Sequence, residues 1–122
     1  MDKKVLVVDD DSSIRMSVQM VFEDAGYQVT LAESGKNCLE ILKNGYKGII
    51  LMDIMMPFMD GWETIQAIVD QNLHEGNIIA MLSAKNEADE QFDSLKEFIA
   101  DYLSKPFEAD ELIAIVDKYV SN

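Results

Sequence analysis

Three carboxylates, a hydroxyl and a lysine in this chain each stand at the end of an apolar run. Val5-Leu6-Val7-Val8 leads into Asp9 and Asp10, Gly48 to Met52 into Asp53, Ile78 to Leu82 into Ser83, and Tyr102-Leu103-Ser104 into Lys105. If these runs are neighbouring strands pointing the same way, their polar ends meet in one crevice. Crowded carboxylates repel one another, so some must be protonated, ion-paired or bound to a divalent cation. Mg²⁺ suits such a site because it keeps several waters and binds through one or two carboxylates plus a phosphate oxygen. Lys105 offers a fixed positive charge, and Ser83 a hydroxyl donor, to the oxygens of a phosphoryl group in transfer. Such a group needs positioning and charge neutralisation more than covalent help. The nucleophile is then a carboxylate, since the crevice holds no cysteine and the only histidine, His74, lies ahead of the fourth run, at the opposite edge.

The elements that must position these groups follow from the apolar spacing. The first and third runs are continuously apolar, as in strands covered on both faces of a parallel sheet. Gln28 to Ala32 reads as a further strand. Between the strands, Ile14, Val18, Val21, Phe22 and Ala25 have helical spacing, with Asp11 or Ser12 as N-cap and Gly26 as stop. Gly35 to Lys43 continues the alternation. Trp62, Ile65, Ile68 and Val69 mark a third helix, started by a turn at Asp60-Gly61, and Ala88, Phe92, Leu95 and Ile99 a fourth. Leu112, Ile115, Val116, Tyr119 and Val120 form the closing helix. Five strands, each followed by a helix, imply an α/β fold: one flavodoxin-like (βα)₅ domain over residues 1–122, with helices on both faces of a five-stranded parallel sheet. With the common strand order 2-1-3-4-5, the first and third strands meet at the switch point, outside whose carboxyl ends ligands bind.

Composition narrows the function. At 122 residues the chain is one ordinary domain, able to bury roughly two-thirds of its unfolded surface. Ten Lys and Arg against 23 Asp and Glu leave a formal charge of −13, which disfavours direct binding to nucleic acid or to an anionic membrane surface. Cys38, the single cysteine, reads as a small core residue. Only four apolar residues follow Met1-Asp2-Lys3-Lys4 before Asp9, too few for a signal-peptide core, so a cytoplasmic location is expected.

Taken together, Val5-Leu6-Val7-Val8-Asp9-Asp10, Asp53 with Met56-Pro57-Phe58-Met59-Asp60-Gly61, Ser83-Ala84, and Tyr102-Leu103-Ser104-Lys105-Pro106-Phe107 resemble the response-regulator receiver domain, the CheY-like family. The resemblance covers essentially the whole chain, and four motifs in order are far more specific than any one. It implies a single-domain response regulator of two-component signalling rather than a conventional enzyme, with self-catalysed phosphorylation and dephosphorylation. Asp53 would be the phosphoacceptor. Asp10 would ligate Mg²⁺, Asp9 would hold it mainly through water, and the backbone carbonyl of Met55 would complete the protein ligands. Ser83 and Lys105 would contact the phosphoryl oxygens. The Lys105-Pro106 bond would be cis. The donor would be the phosphohistidine of a sensor histidine kinase or a phosphotransfer protein. Phosphorylation would draw Ser83 in and turn Tyr102 inward, altering the face of the fourth helix, fifth strand and fifth helix for a downstream protein partner.

Several residues depart from that pattern or have plainer readings. Ser83 stands where many members carry Thr, and it keeps the hydroxyl. Phe98-Ile99-Ala100 replaces a frequent Gly-Ala, so an altered connection into the fifth strand is expected. Met55 and Lys85 flank the phosphoryl position, and an apolar Met55 beside the path of water is expected to slow hydrolysis. Asp11 serves as a helix cap, Met52, Met55, Met56 and Met59 as core and loop filling, and His74 and Trp62 as loop surface and helix packing. Two rival functions stand beside the switch. A receiver-like module acting without phosphorylation usually lacks an acid, the lysine or the acceptor, and none is lacking. A haloacid-dehalogenase-type phosphatase would use Asp9 of Asp9-Asp10-Asp11 as nucleophile, but normally needs a longer chain.

Overall fold

The computed structural model describes residues 2–83 and 90–120. Its strands are β1 (Lys4–Val8), β2 (Gln28–Ala32), β3 (Ile49–Asp53), β4 (Ile78–Ser83) and β5 (Ile99–Ser104). They form one parallel sheet in the order β2-β1-β3-β4-β5. The helices are α1 (Ser12–Asp24), α2 (Gly35–Lys43), α3 (Gly61–Asp70) and α4 (Ala109–Val120), with a 3₁₀ helix over Glu90–Phe98.

Side chains alternate across a strand, so each continuous apolar run serves two cores at once. Leu6, Val8, Ile50, Met52, Ile79 and Met81 face α2, α3 and the 3₁₀ helix, where Cys38, Leu42, Trp62, Ile65 and Leu95 cover them. Val5, Val7, Ile49, Leu51 and Leu82 face α1 and α4, and meet Val18, Phe22, Leu112 and Val116. Burial alone pushes the Cys38 thiol up to about 12, consistent with an inert core residue.

Two helix starts place loops at the carboxyl edge of the sheet. Asp11 caps α1, its carboxylate accepting from the Ser13 and Ile14 N–H groups at 2.8 and 3.3 Å. Asp60 and Glu63 form a reciprocal capping box on α3. The same helix begins hard against the strand that carries Asp53. The Gly61 N–H donates to the Ile54 carbonyl at 2.8 Å, and a Cβ at Gly61 would lie 2.5 Å from the Asp53 carbonyl oxygen. Only glycine allows that approach.

The region after β4 differs from expectation. Of the expected face Ala88, Phe92, Leu95 and Ile99, Ala88 lies outside the described residues, and Ile99 is the buried first residue of β5. Leu95 and Phe98, three apart, pack on the core from the 3₁₀ helix, as its three-residue turn requires. β5 therefore starts at Ile99 rather than Tyr102. Its register pairs Ile79 with Ile99 and then Ala80 with Asp101, which leaves Ala100 as an extra residue, a bulge. Phe98-Ile99-Ala100 thus carries the end of the 3₁₀ helix, the start of β5 and the bulge. His74 also differs. It is half-buried, its ring edge-on to Phe98 at 5.0 Å between centroids, with Nδ1 enclosed.

Candidate functional site

Parallel pairing of β1 with β3, in which Val8 lies beside Met52, brings the residues after each strand to the same level. Asp9, Asp10 and Asp53 consequently gather, each offering a carboxylate oxygen within 4.8 Å of the others. Asp9 and Asp53 are 1% and 3% exposed, whereas Asp10 opens to solvent. Lys105, one residue beyond β5, reaches over this crevice. Its Nζ donates to Asp53 Oδ1 at 2.8 Å and lies 3.8 Å from Asp9 Oδ2. The peptide bond from Lys105 to Pro106 is cis.

Among the described residues one lysine side chain, Lys105, lies against the carboxylates of this three-acid cluster. Asp9 shows the consequence. Its Oδ1 accepts the Asp11 N–H at 2.9 Å, but its buried Oδ2 accepts no hydrogen bond. Burial raises the Asp9 pKa above the usual carboxylate value, and the Asp53 and Asp10 charges add to the rise, while the Asp11 N–H and Lys105 oppose it. An orphaned, desolvated carboxylate oxygen beside two further carboxylates is an oxygen-rich ligand set for a hard divalent ion. The cluster is thus able to hold a metal ion.

The other expected site residues fall as follows. Ser83 ends β4, one residue beyond the Leu82 that pairs with Asp53, and its backbone pairs with Ser104. The Ser83 side chain, Ala84 and Lys85 lie outside the described residues. Met55 is in the loop after β3, its side chain 67% exposed, while Met52 and Met56 are buried. Tyr102 lies on the edge strand β5 and is 45% exposed.

Sequence reasoning missed Arg15. From the first turns of α1 its guanidinium donates to the Asp9 main-chain oxygen at 2.7 Å, tying the acidic turn to the helix. The available signal was that Arg15 is the single arginine of the chain, one turn beyond an acidic triplet. Arg15 and Asp10 line a cavity of about 230 Å³ together with Glu33, Ser34 and the segment Met56-Pro57-Phe58. A larger groove of about 540 Å³ runs from Lys105, Pro106 and Phe107 along Ser13, Ile14, Ser17 and Val18 of α1.

With this geometry in hand, likeness to known proteins is informative. Residues 5–117 match the family model described as the response regulator receiver domain. The transcriptional regulatory protein DltR of Streptococcus agalactiae is 36% identical over 111 residues, 91% of this chain and 49% of that protein. The chain therefore spans about half the length of that relative. A CheY-like receiver domain protein from Methanospirillum hungatei superposes with a TM-score of 0.93 at 43% identity, covering 97% of this chain and 94% of that one. The receiver domain of a Pseudomonas aeruginosa sensor histidine kinase, solved with a magnesium ion coordinated in its active-site cleft, has a TM-score of 0.84 at 25% identity over 100% of both chains.

Proposed function

Since this chain belongs to the response regulator receiver domain family, we propose that it is a phosphorylation switch in which Asp53 takes a phosphoryl group from the phosphohistidine of a sensor kinase or phosphotransfer protein. The observation that carries the reading is Lys105 held 2.8 Å from the buried Asp53 in a cluster of three acids. An Asp53 oxygen forms the new P–O bond while the P–N bond to the donor imidazole breaks, its electron pair returning to the ring. Lys105 is placed to follow the charge from the carboxylate to the phosphoryl oxygens, as the Ser83 hydroxyl would from the end of β4. Asp9, Asp10, Asp53 and the backbone carbonyl of Met55 would hold Mg²⁺, which when bound neutralises the phosphoryl oxygens. The magnesium in the cleft of the Pseudomonas receiver domain supports this choice of ion.

The same residues would govern hydrolysis and output. An exposed Met55 offers water no hydrogen bond beside Asp53, so Met55→Asn is expected to speed loss of the phosphoryl group severalfold, read as the decay of the phosphorylated mass. An unchanged decay rate would remove that role. On the output side Tyr102 stands partly in solvent, and it would turn inward as Ser83 moves toward the phosphoryl group. A partner reads the switch only through different affinity for the two states, each 1.4 kcal/mol being about tenfold.

The test is intact mass after incubation with acetyl phosphate and Mg²⁺. One added phosphoryl group is expected, lost with excess EDTA and in Asp53→Asn. Labelling that survives Asp53→Asn would move the acceptor to another carboxylate, Asp9 first, as in a phosphatase. No labelling of the wild type by acetyl phosphate or by a phosphohistidine donor would leave a phosphate-independent interaction module.

A further inference from the structure

Two residues other than glycine hold a left-handed backbone among the described residues, and they contrast sharply. Asn72, at φ +57°, sits in the turn after α3, where asparagine is an ordinary choice. Phe58, at φ +67°, sits in the loop between β3 and α3, and an aromatic side chain there is a genuine outlier. Strain in a left-handed residue is usually offset by packing, but Phe58 is fully exposed. Neither backbone preference nor burial in this chain accounts for a phenylalanine at the position. Strain kept at a loop beside a reactive group points to a role for the side chain itself.

The placement says what it would touch. Phe58 lies in the loop that follows Asp53 and lines the same cavity as Asp10 and Arg15. Met55, the neighbouring apolar projection of that loop, is also exposed, and Phe and Met are side chains enriched where proteins meet. A protein that brings a phosphohistidine to Asp53 must lie over this edge of the sheet, whereas Tyr102 stands within the edge strand β5. We propose that Phe58 is a contact residue for the phosphohistidine-bearing donor protein, its side chain inserting into the donor surface during transfer. The proposal rests on the phosphoacceptor reading above and adds the partner contact that a small donor would not use.

The experiment compares wild type, Phe58→Asn and Phe58→Tyr as full chains in three measurements. Thermal unfolding of Phe58→Asn is expected about 2–5 °C higher, because asparagine accepts the left-handed backbone. Labelling by acetyl phosphate with Mg²⁺ is expected to differ less than twofold among the three. Transfer from an autophosphorylated histidine kinase, chosen from purified kinases as the fastest on wild type, is expected to fall roughly tenfold or more in Phe58→Asn and to persist in Phe58→Tyr. Equal kinase transfer to wild type and Phe58→Asn would overturn the proposal. So would a chain that acetyl phosphate labels but no phosphohistidine kinase does, since the named partner would then not exist. Failure of wild type to take phosphoryl from acetyl phosphate and kinase alike would instead fail the acceptor reading beneath it.

Discussion

Asp9 and Asp101 are both aspartates beside a lysine, and they are built in opposite ways. Asp101, on β5, has partners on both oxygens. Lys118 Nζ lies at 2.6 Å and the Tyr119 hydroxyl at 3.1 Å from Oδ2, while the Tyr102 N–H donates to Oδ1 at 2.9 Å. The Tyr119 hydroxyl also reaches the carbonyl of the bulged Ala100 at 2.9 Å, so the network fixes the extra residue of β5 to the end of α4. The Lys118 bond, with smaller help from Tyr102 and Tyr119, holds the Asp101 pKa below the usual value against the opposing effect of burial. Asp9 is more deeply buried, has one oxygen without a hydrogen bond, and shares a more distant lysine with Asp53; burial holds its pKa above the usual value. The first carboxylate is complete within the chain. The second keeps an oxygen without a hydrogen bond in a cluster able to hold a metal ion, and that difference separates a structural fastening from a candidate binding site.

Replacing the acceptor-edge cation should have the largest effect. Lys105→Met leaves the acids without their shared charge and the phosphoryl oxygens without a donor, so labelling of Asp53 by acetyl phosphate is expected to slow by about 100-fold or more. A rate within threefold of wild type would show that Lys105 only neutralises the resting site.

Asp9→Asn should come next, and its sign is opposite for stability and for binding. A carboxyl whose folded pKa is raised contributes its stability below the unfolded value, and loses it as pH rises through the folded pKa. For Asp9 that decline begins near the ordinary 3.8. Metal-free Asp9→Asn is therefore expected to be more stable than wild type at pH 7, with the gap closing as pH falls toward 3.8. Saturating Mg²⁺ should reverse the order by stabilising wild type more, about 2.7 kcal/mol at a hundredfold excess over the dissociation constant. Melting curves with and without Mg²⁺ read both effects.

The smallest effect belongs to the fastening. A lowered folded pKa contributes stability above the unfolded value and loses it as pH falls through the folded one, so Asp101→Asn should cost stability at pH 7, the cost shrinking only as pH falls below 3.8 toward the lowered folded pKa. The loss should shrink in high salt, because Lys118 is well exposed. Acetyl phosphate labelling should be unaffected. If Asp101→Asn slowed labelling as much as Lys105→Met, the two regions would not be separable.

Much of this contrast was legible in the residues. Strands buried on both faces need unbroken apolar runs, so β1 and β3 declared themselves, and a polar residue directly after each run could only fall at the sheet's carboxyl edge. The acidic crevice was therefore readable as Asp9, Asp10, Asp53 and Lys105 before any coordinates. The stretch after β4 was not, for a definite reason. Phe92, Leu95 and Phe98 are spaced by three, while Ala88, Phe92, Leu95 and Ile99 fit an α-helix, and the first set is the period the 3₁₀ helix uses. Ile99 was read as helix because an edge strand such as β5, covered on one side, has too short an apolar pattern to compete. The Ala100 bulge and the enclosed Nδ1 of His74 depend on register and on Phe98, neither of which a linear pattern encodes. Arg15 was overlooked because it acts on a main-chain oxygen, and main-chain partners carry no residue signature.

The most direct test of the account is chemical identification of the phosphorylated residue. The wild-type chain is incubated with acetyl phosphate and Mg²⁺, reduced with borohydride to convert an acyl phosphate to an alcohol, and mapped by peptide mass. Homoserine at position 53 and at no other aspartate is the expected result; homoserine at Asp9 or Asp10, or a phosphate that resists reduction, would contradict the claim that Asp53 is the acceptor.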